Sequence, residues 1–250
     1  MRGGPVQALI LAGGYGTRLG ELTRDCSKVL LPVAGRPMIE WVLERAFALT
    51  RVDRAVIVTN DRFFADFRDW RSGYRGDRAV TVLNDGTTTN ENRLGAVGDV
   101  LFAIEHETID DDLLIMAGDN IFDFDLQPMA DLLTARGSCA ALYDVGSLET
   151  AKRYSNATLD DQARITAFVE KPPNPSTSAV VVALYMYRAA DLALFKRFSD
   201  EGHNLDLIGG FLQWAHRQTP VYGCTFGGRW WDIGDRAEYD AVNEYFARSG

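Results

Sequence analysis

The residues best suited to chemistry fall into three groups. The first is Leu11-Ala12-Gly13-Gly14-Tyr15-Gly16-Thr17-Arg18-Leu19, directly after an apolar run at 6–12. Glycines at such a turn let backbone N–H groups approach phosphate oxygens where a Cβ would strain the chain. Arg18 adds a forked cation suited to a polyphosphate, and Lys28 supplies a point charge able to reach the same anion. The second group is two carboxylates after apolar runs, Asp119 in Gly118-Asp119-Asn120 and Asp232 in Trp230-Trp231-Asp232-Ile233-Gly234. Both are oxygen donors of the kind Mg²⁺ takes when it bridges phosphates. The third is Glu170-Lys171-Pro172, a charged pair at the end of a strand-like run. Singly, each feature has a plainer reading: a tight turn with a surface arginine, a capping aspartate, an exposed ion pair. No Gly-Lys-Ser/Thr follows the glycines and they lack G-x-G-x-x-G spacing, so neither a Walker loop nor a nicotinamide site is favoured.

Strands followed by helices must hold these groups. Apolar runs at 54–59, 79–83 and 113–117 alternate with helical patterns carried by Ile39, Val42, Leu43, Ala46 and Phe47, by Phe64, Phe67 and Trp70, and by Leu94, Val97, Leu101 and Ile104. Asn60 reads as a helix cap and Pro128 as a helix opener. Strands are expected at 139–145, 179–187 and 221–226, a hairpin at 156–159 and 164–170, and helices at 189–198, 207–217 and the C-terminus. Alternation of this kind predicts an α/β fold: a Rossmann-like, mainly parallel (mixed) central sheet with helices on both faces. Ligands of such sheets gather at the carboxyl ends of the strands, where the glycine turn and Asp119 fall. The expectation is one domain over residues 1–250.

Composition narrows the partners. The net charge of −9 argues against nucleic acid, whose phosphates are held by basic patches. Cys26, Cys139 and Cys224 are isolated, without CxxC spacing, which suits a reducing compartment. No apolar stretch is long enough to span a bilayer and no secretory leader is recognisable, so a cytoplasmic protein without a membrane partner is expected. His106, His203 and His216 show neither ligand nor triad spacing.

The ordered set Leu11-Ala12-Gly13-Gly14-x-Gly16-Thr17-Arg18-Leu19, Ser27-Lys28-x-Leu30-Leu31-Pro32-Val33 and Gly35-Arg36-Pro37-Met38-Ile39 resembles the signature of the sugar-1-phosphate nucleotidyltransferases, of the glucose-1-phosphate thymidylyltransferase-like kind. The resemblance runs from Leu11 to about Gly234 and implies a GT-A-like nucleotidyltransferase fold. It implies a reaction of a nucleoside triphosphate with a sugar 1-phosphate, with Mg²⁺ as cofactor and pyrophosphate as co-product. By position, Leu11, Ala12, Gly13, Gly14, Gly16, Thr17 and Arg18 would hold the nucleotide, with Lys28 near the reacting phosphate. Asp119 and Asp232 would hold Mg²⁺; Asp119, Asn120, Glu170 and Lys171 would meet the sugar phosphate; Gly95 would lie beside the base. Asn84 takes the place of a base-reading glutamine, although its polar stretch reads equally as a solvated loop. Ser155 stands where the family carries glycine, which points to an unusual acceptor. The C-terminal β-helix of some members is not expected, and homo-oligomers are common in the family.

Three other readings compete. A glycosyltransferase would use Asp123-Phe124-Asp125 as its metal motif but has no need of the glycine turn. A cytidylyltransferase could carry the same loop and take a phosphocholine-like or phosphonate acceptor. A silent sugar-nucleotide-binding subunit would show damage at Arg18, Lys28, Asp119 or Asp232, and all four are intact.

Overall fold

The computed structural model describes residues 3–249. The chain opens with strand β1 (Val6–Leu11), which leads through the glycine turn into a 3₁₀ segment at Thr17–Thr23. A small hairpin, β2 (Pro32–Val33) and β3 (Arg36–Pro37), precedes helix α1 (Met38–Ala48). Then come β4 (Val52–Thr59), α2 (Asp61–Gly73), β5 (Ala79–Asn84), α3 (Ala96–Glu107), β6 (Asp112–Ala117) and the short β7 (Asn120–Phe122). The second half runs α4 (Gln127–Ala135), β8 (Cys139–Asp144), α5 (Leu148–Ala151), β9 (Ser155–Leu159), β10 (Ile165–Val169) and β11 (Ala179–Tyr187). It ends with α6 (Ala193–Asp200), α7 (Ile208–Ala215), β12 (Tyr222–Phe226), β13 (Trp230–Asp232) and α8 (Arg236–Ser249).

The main sheet has the order β10-β9-β11-β6-β1-β4-β5, with β8 pairing to β11 and β12 to β8. Strands β6, β1, β4 and β5 are parallel, while β11 is antiparallel to β6, β8 and β9. The sheet is therefore mixed, as the sequence predicts. Its central strands are apolar on both faces because helices cover both. Ala8, Ile10, Ile57, Leu114 and Met116 pack with α1, α2 and α4 through Val42, Leu43, Phe63, Phe67 and Met129. Leu9, Val56, Val58, Leu113 and Ile115 point the other way, onto Val97 and Val100 of α3 and the rings of α6 and α7. Among the described residues no helix is long and apolar enough to cross a membrane.

Two helical faces differ from those expected. On α2 the buried rings are Phe63 and Phe67, with Trp70 partly buried against them. On α3 the buried face is Val97, Val100 and Ala103, whereas Leu94 is 36% exposed. The cause is Gly95, the cap of α3, whose φ of +82° departs from helical backbone, so Leu94 lies outside the helix, which begins at Ala96.

A third apolar cluster lies outside the sheet. Leu19, Leu31, Val33, Met38, Ile121, Ile233 and Val242 form it, with Trp231, Tyr239 and Phe246 packed against them. It ties α8 to the segment after the glycine turn and to the β7–β13 pair, so it fixes three stretches distant in sequence.

Asn60 joins the fold to the glycine turn. Its Oδ1 accepts from the Phe63 amide at 3.2 Å, capping α2, and its Nδ2 donates to the Gly13 carbonyl at 2.9 Å. Asn60→Ala should lower unfolding free energy by about 2 kcal/mol, the sum of a lost cap and a half-buried carbonyl left without its partner. A urea midpoint equal to that of the parent chain would refute this double role.

Candidate active site

The parallel register places Leu11 beside Ala117, so β1 and β6 end side by side. Everything that follows these ends shares one crevice. After β1 the chain turns through Gly13 and Gly14, and Gly16 takes a φ of +63°. The Gly16 carbonyl accepts from Thr23 Oγ1 at 2.8 Å and from the Leu19 amide at 3.0 Å, which closes the turn on itself. A side chain at Gly13 would sit 2.6 Å from Asp99 Oδ2, so any larger residue there would have to displace the Asp99 carboxyl.

After β6, Gly118 and Asp119 turn the chain into β7. Strand β13 pairs antiparallel with β7 in a register that opposes Asp232 to Asn120. Asn120 Nδ2 donates to Asp119 Oδ1 at 2.9 Å and to Asp232 Oδ1 at 3.4 Å, while its own Oδ1 accepts from Trp230 Nε1 at 2.7 Å. One amide thus holds two carboxylates together. Lys28 pairs with the other oxygen of Asp119. Burial would raise the Asp119 carboxyl, but the Lys28 ammonium more than offsets it and holds the group below its ordinary range. At Asp232 burial first, then the Asp119 charge, outweighs the pull of Lys28 and Arg18 and pushes the carboxyl up to about 6.

This donor set suits a hard divalent cation. Two carboxylates turn toward one point, and the charge excess at Asp232 is what a cation relieves. Among the described residues no group of three or more His, Cys, Asp or Glu side chains forms a metal cage. Mg²⁺ does not need one, since it completes its octahedron with water and substrate phosphates.

A cavity of about 310 Å³ opens beside the carboxylates, lined by Arg18, Asp119, Asn120, Glu170, Lys171 and Asp232 among others. The Arg18 guanidinium projects toward Gly234, where a Cβ would lie 3.3 Å from it. In the same cavity Ser155 Oγ donates to Glu170 Oε2, so the serine occupies one of the two carboxylate oxygens. Lys171 has a φ of +41°, a left-handed conformation uncommon for a side-chain-bearing residue.

A second cavity of about 190 Å³ lies across the glycine turn, lined by Leu11, Gly13, Gly14, Asp85, Arg93, Gly95, Ala96, Asp99 and Asp206. Of the sequence-selected residues, Ala12, Gly16, Thr17, Lys28 and Asn84 line neither cavity. The structure does not bring Asn84 to the second one: its Nδ2 donates to Asp61 at 2.7 Å and its Oδ1 accepts from the Gly86 amide at 2.9 Å. The next residue, Asp85, faces the space instead. Gly95 does line it, yet the position of its missing side chain is filled by the backbone of Leu205 and Asp206, 2.6 Å away. Sequence reasoning overlooked Asp85 and Asp99; the available signal was a lone acid between the apolar positions Val97, Val100 and Ala103. Asp123 accepts from the distant Arg229 amide, Asp125 accepts from the Gln127 amide two residues on, and neither lines a cavity above, which leaves the glycosyltransferase motif without a site.

The profile of the family described as Nucleotidyl transferase matches residues 7–249. A Sulfolobus acidocaldarius protein provisionally named mannose-1-phosphate guanyltransferase is 27% identical over 239 residues, 95% of this chain and 62% of that protein. The UTP–glucose-1-phosphate uridylyltransferase AglF of Haloferax volcanii is 28% identical over 74% of this chain and 73% of its own length. The chain thus spans under two thirds of the Sulfolobus relative. A crystal structure of UDP-glucose pyrophosphorylase complexed with UDP-glucose superposes with a TM-score of 0.83 at 18% identity, covering 98% of this chain and 100% of that one, and shares the fold.

Asp99 gives a pH test. Burial, then the neighbouring Asp85, raises its carboxyl from 3.8 to about 8. The folded state therefore favours the protonated acid, and its stabilising effect is lost as pH rises from about 4 through about 8. Asp99→Asn removes this titration. The variant should melt higher than the parent at pH 8, with the gap closing toward pH 5; a gap independent of pH would contradict the burial argument.

Proposed function

The chain belongs to the nucleotidyl transferase family, and from that premise we propose that it condenses a nucleoside triphosphate with a sugar 1-phosphate, releasing pyrophosphate. The observation that carries this reading is the Lys28–Asp119–Asn120–Asp232 array, set between the glycine turn and a cavity holding Arg18, Glu170 and Lys171. Cations on two sides of paired carboxylates suit a reaction that brings two phosphates together.

In this reading the turn of Leu11, Ala12, Gly13, Gly14, Gly16 and Thr17 frames the triphosphate. Arg18 and Lys28 neutralise it, Arg18 taking the charge that develops on the departing pyrophosphate. Lys171 orients the acceptor phosphate and Glu170 accepts from sugar hydroxyls. An oxygen of the acceptor phosphate attacks the α-phosphorus in line, and the bond from that phosphorus to the β-phosphate oxygen breaks. The nucleophile is already an anion, so no general base is required, and positioning carries much of the rate. Asp119 and Asp232 would hold Mg²⁺, which when bound neutralises charge on the phosphate oxygens. Lys28 compensates Asp119, whose carboxylate borders the cavity that would receive the phosphates. The strained Lys171 backbone fixes where its ammonium starts, which limits the geometries open to the attacking phosphate.

Pyrophosphate release should require a nucleoside triphosphate, a sugar 1-phosphate and Mg²⁺ together, and stop on chelation. No release across a panel of nucleotides and sugar phosphates would sink the proposal. Asp119→Ala should lose roughly 10²–10³-fold in turnover while retaining the melting transition. Lys171→Ala should raise KM for the sugar phosphate about tenfold and leave KM for the nucleotide nearly unchanged. An equal effect on both would remove Lys171 from the acceptor side.

A further inference from the structure

Two acids lie behind the glycine turn, and the scheme above uses neither. Asp99, on the buried face of α3, is only 6% exposed, and a hydrogen bond joins it to Asp85, just past the end of β5. Their Oδ2 atoms lie 2.6 Å (Asp99) and 3.6 Å (Asp85) from the point that a Gly13 side chain would take. The Asp99 Oδ1 is shielded from solvent and has no donor against it, which disfavours the ionised form. Asp85 is held by the Thr87 amide, which donates to its Oδ1 at 2.6 Å. The Thr87 hydroxyl in turn meets that of Tyr15, within the glycine turn, at 3.3 Å. The acid pair is therefore fastened to the turn from behind.

Two carboxyls in contact both ionise only at high cost, unless a cation lies between them. Among the described residues none does. Arg93, the cation lining this cavity, is taken by Asp206 in a bidentate pair, both contacts at 2.7 Å. Asp61, the nearby acid on α2, is bound to Asn84. The strands and helices packed on α3 present apolar side chains, Leu9, Val56, Val58 and Phe211 among them. A proton is what remains to compensate the pair.

We infer that nucleotide binding depends on a proton shared by Asp99 and Asp85, which makes Asp99 a positioning residue of the nucleotide site. The inference rests on the nucleotidyl-transfer reading, in which the turn of Gly13 and Gly14 frames the triphosphate. With the proton in place the pair carries one negative charge and holds together behind the turn. When the proton leaves to solvent, two negative charges stand in contact and repel. The Asp99 carboxylate already abuts Gly13, so its displacement disturbs the turn. The added charge also repels the incoming triphosphate. Both effects weaken nucleotide binding. By reciprocity, a bound triphosphate strengthens the pair's hold on its proton. Burial, then Asp85, raises the Asp99 carboxyl to about 8, so the proton is present at neutral pH and lost above it.

The test is calorimetric titration of the full chain, in Mg²⁺ buffer at pH 7, with GTP, UTP, dTTP, CTP and ATP. The tightest binder is then followed to pH 9. Its Kd should rise about tenfold over that interval, as the fraction of protonated pair falls. At pH 8, titrations in two buffers of unlike ionisation heat should show net proton uptake on binding. In Asp99→Asn and Asp99→Ala the Kd should change less than about twofold from pH 7 to pH 9, with no proton uptake. Melting curves report that the variants fold, and a purely structural role would shift Kd by one factor at every pH. A flat profile without proton uptake in the parent, or a tenfold rise that survives in a folded variant, overturns the inference while nucleotide binding itself stands. If neither variant folds, the parent's profile and proton uptake still decide. Absence of binding by every triphosphate overturns the inference together with the reading beneath it.

Discussion

Two carboxylates held side by side in a partly buried turn repel one another, and the arrangement around Asp119 and Asp232 exists to tolerate that repulsion. Asn120 donates to both acids, Lys28 cancels one charge, and the β7–β13 register brings in the second acid from a strand far along the chain. None of these devices removes the excess at Asp232. The site is therefore built for a charge supplied from outside, and the packing beneath it serves that end. The cluster of Leu19, Ile121, Ile233 and Val242 secures the three segments that carry Arg18, Asn120 and Asp232. The parallel pairing of β1 and β6 then sets that array against the glycine turn.

Much of this was legible in the chain itself. Apolar runs and their flanking glycines located β1, β4, β5 and β6 within about two residues, because a strand buried on both faces must be apolar throughout. Strand β11 was read at its full extent for the same reason. Asn60 announced a cap and proved to serve the glycine turn too, since its amide has a second end. Asp119 and Asp232 were named from motifs, and the structure brings them to one asparagine.

What could not be read has a common cause. The face that α3 buries depends on where the helix begins, and that depends on Gly95 fitting against Leu205 and Asp206, a contact between distant segments. An apolar pattern alone neither sets Leu94 outside the helix nor marks the acid at position 99 as buried. Asn84 and Asp85 are neighbours on the end of a strand, where successive side chains turn to opposite sides. Which of the two meets the cavity is settled by tertiary pairing alone. The Ser155–Glu170 contact joins two strands of a hairpin, and no local pattern marks it.

One short stretch touches both cavities. Leu205 and Asp206 close against Gly95 and give their carbonyls to the first amides of α3, while Leu207, Ile208 and Gly209 line the larger cavity, and Gly209 abuts Glu170. A shift of this stretch toward either cavity alters the shape of the other. The two compartments thus share a party wall, and the dimensions of one are written into those of its neighbour.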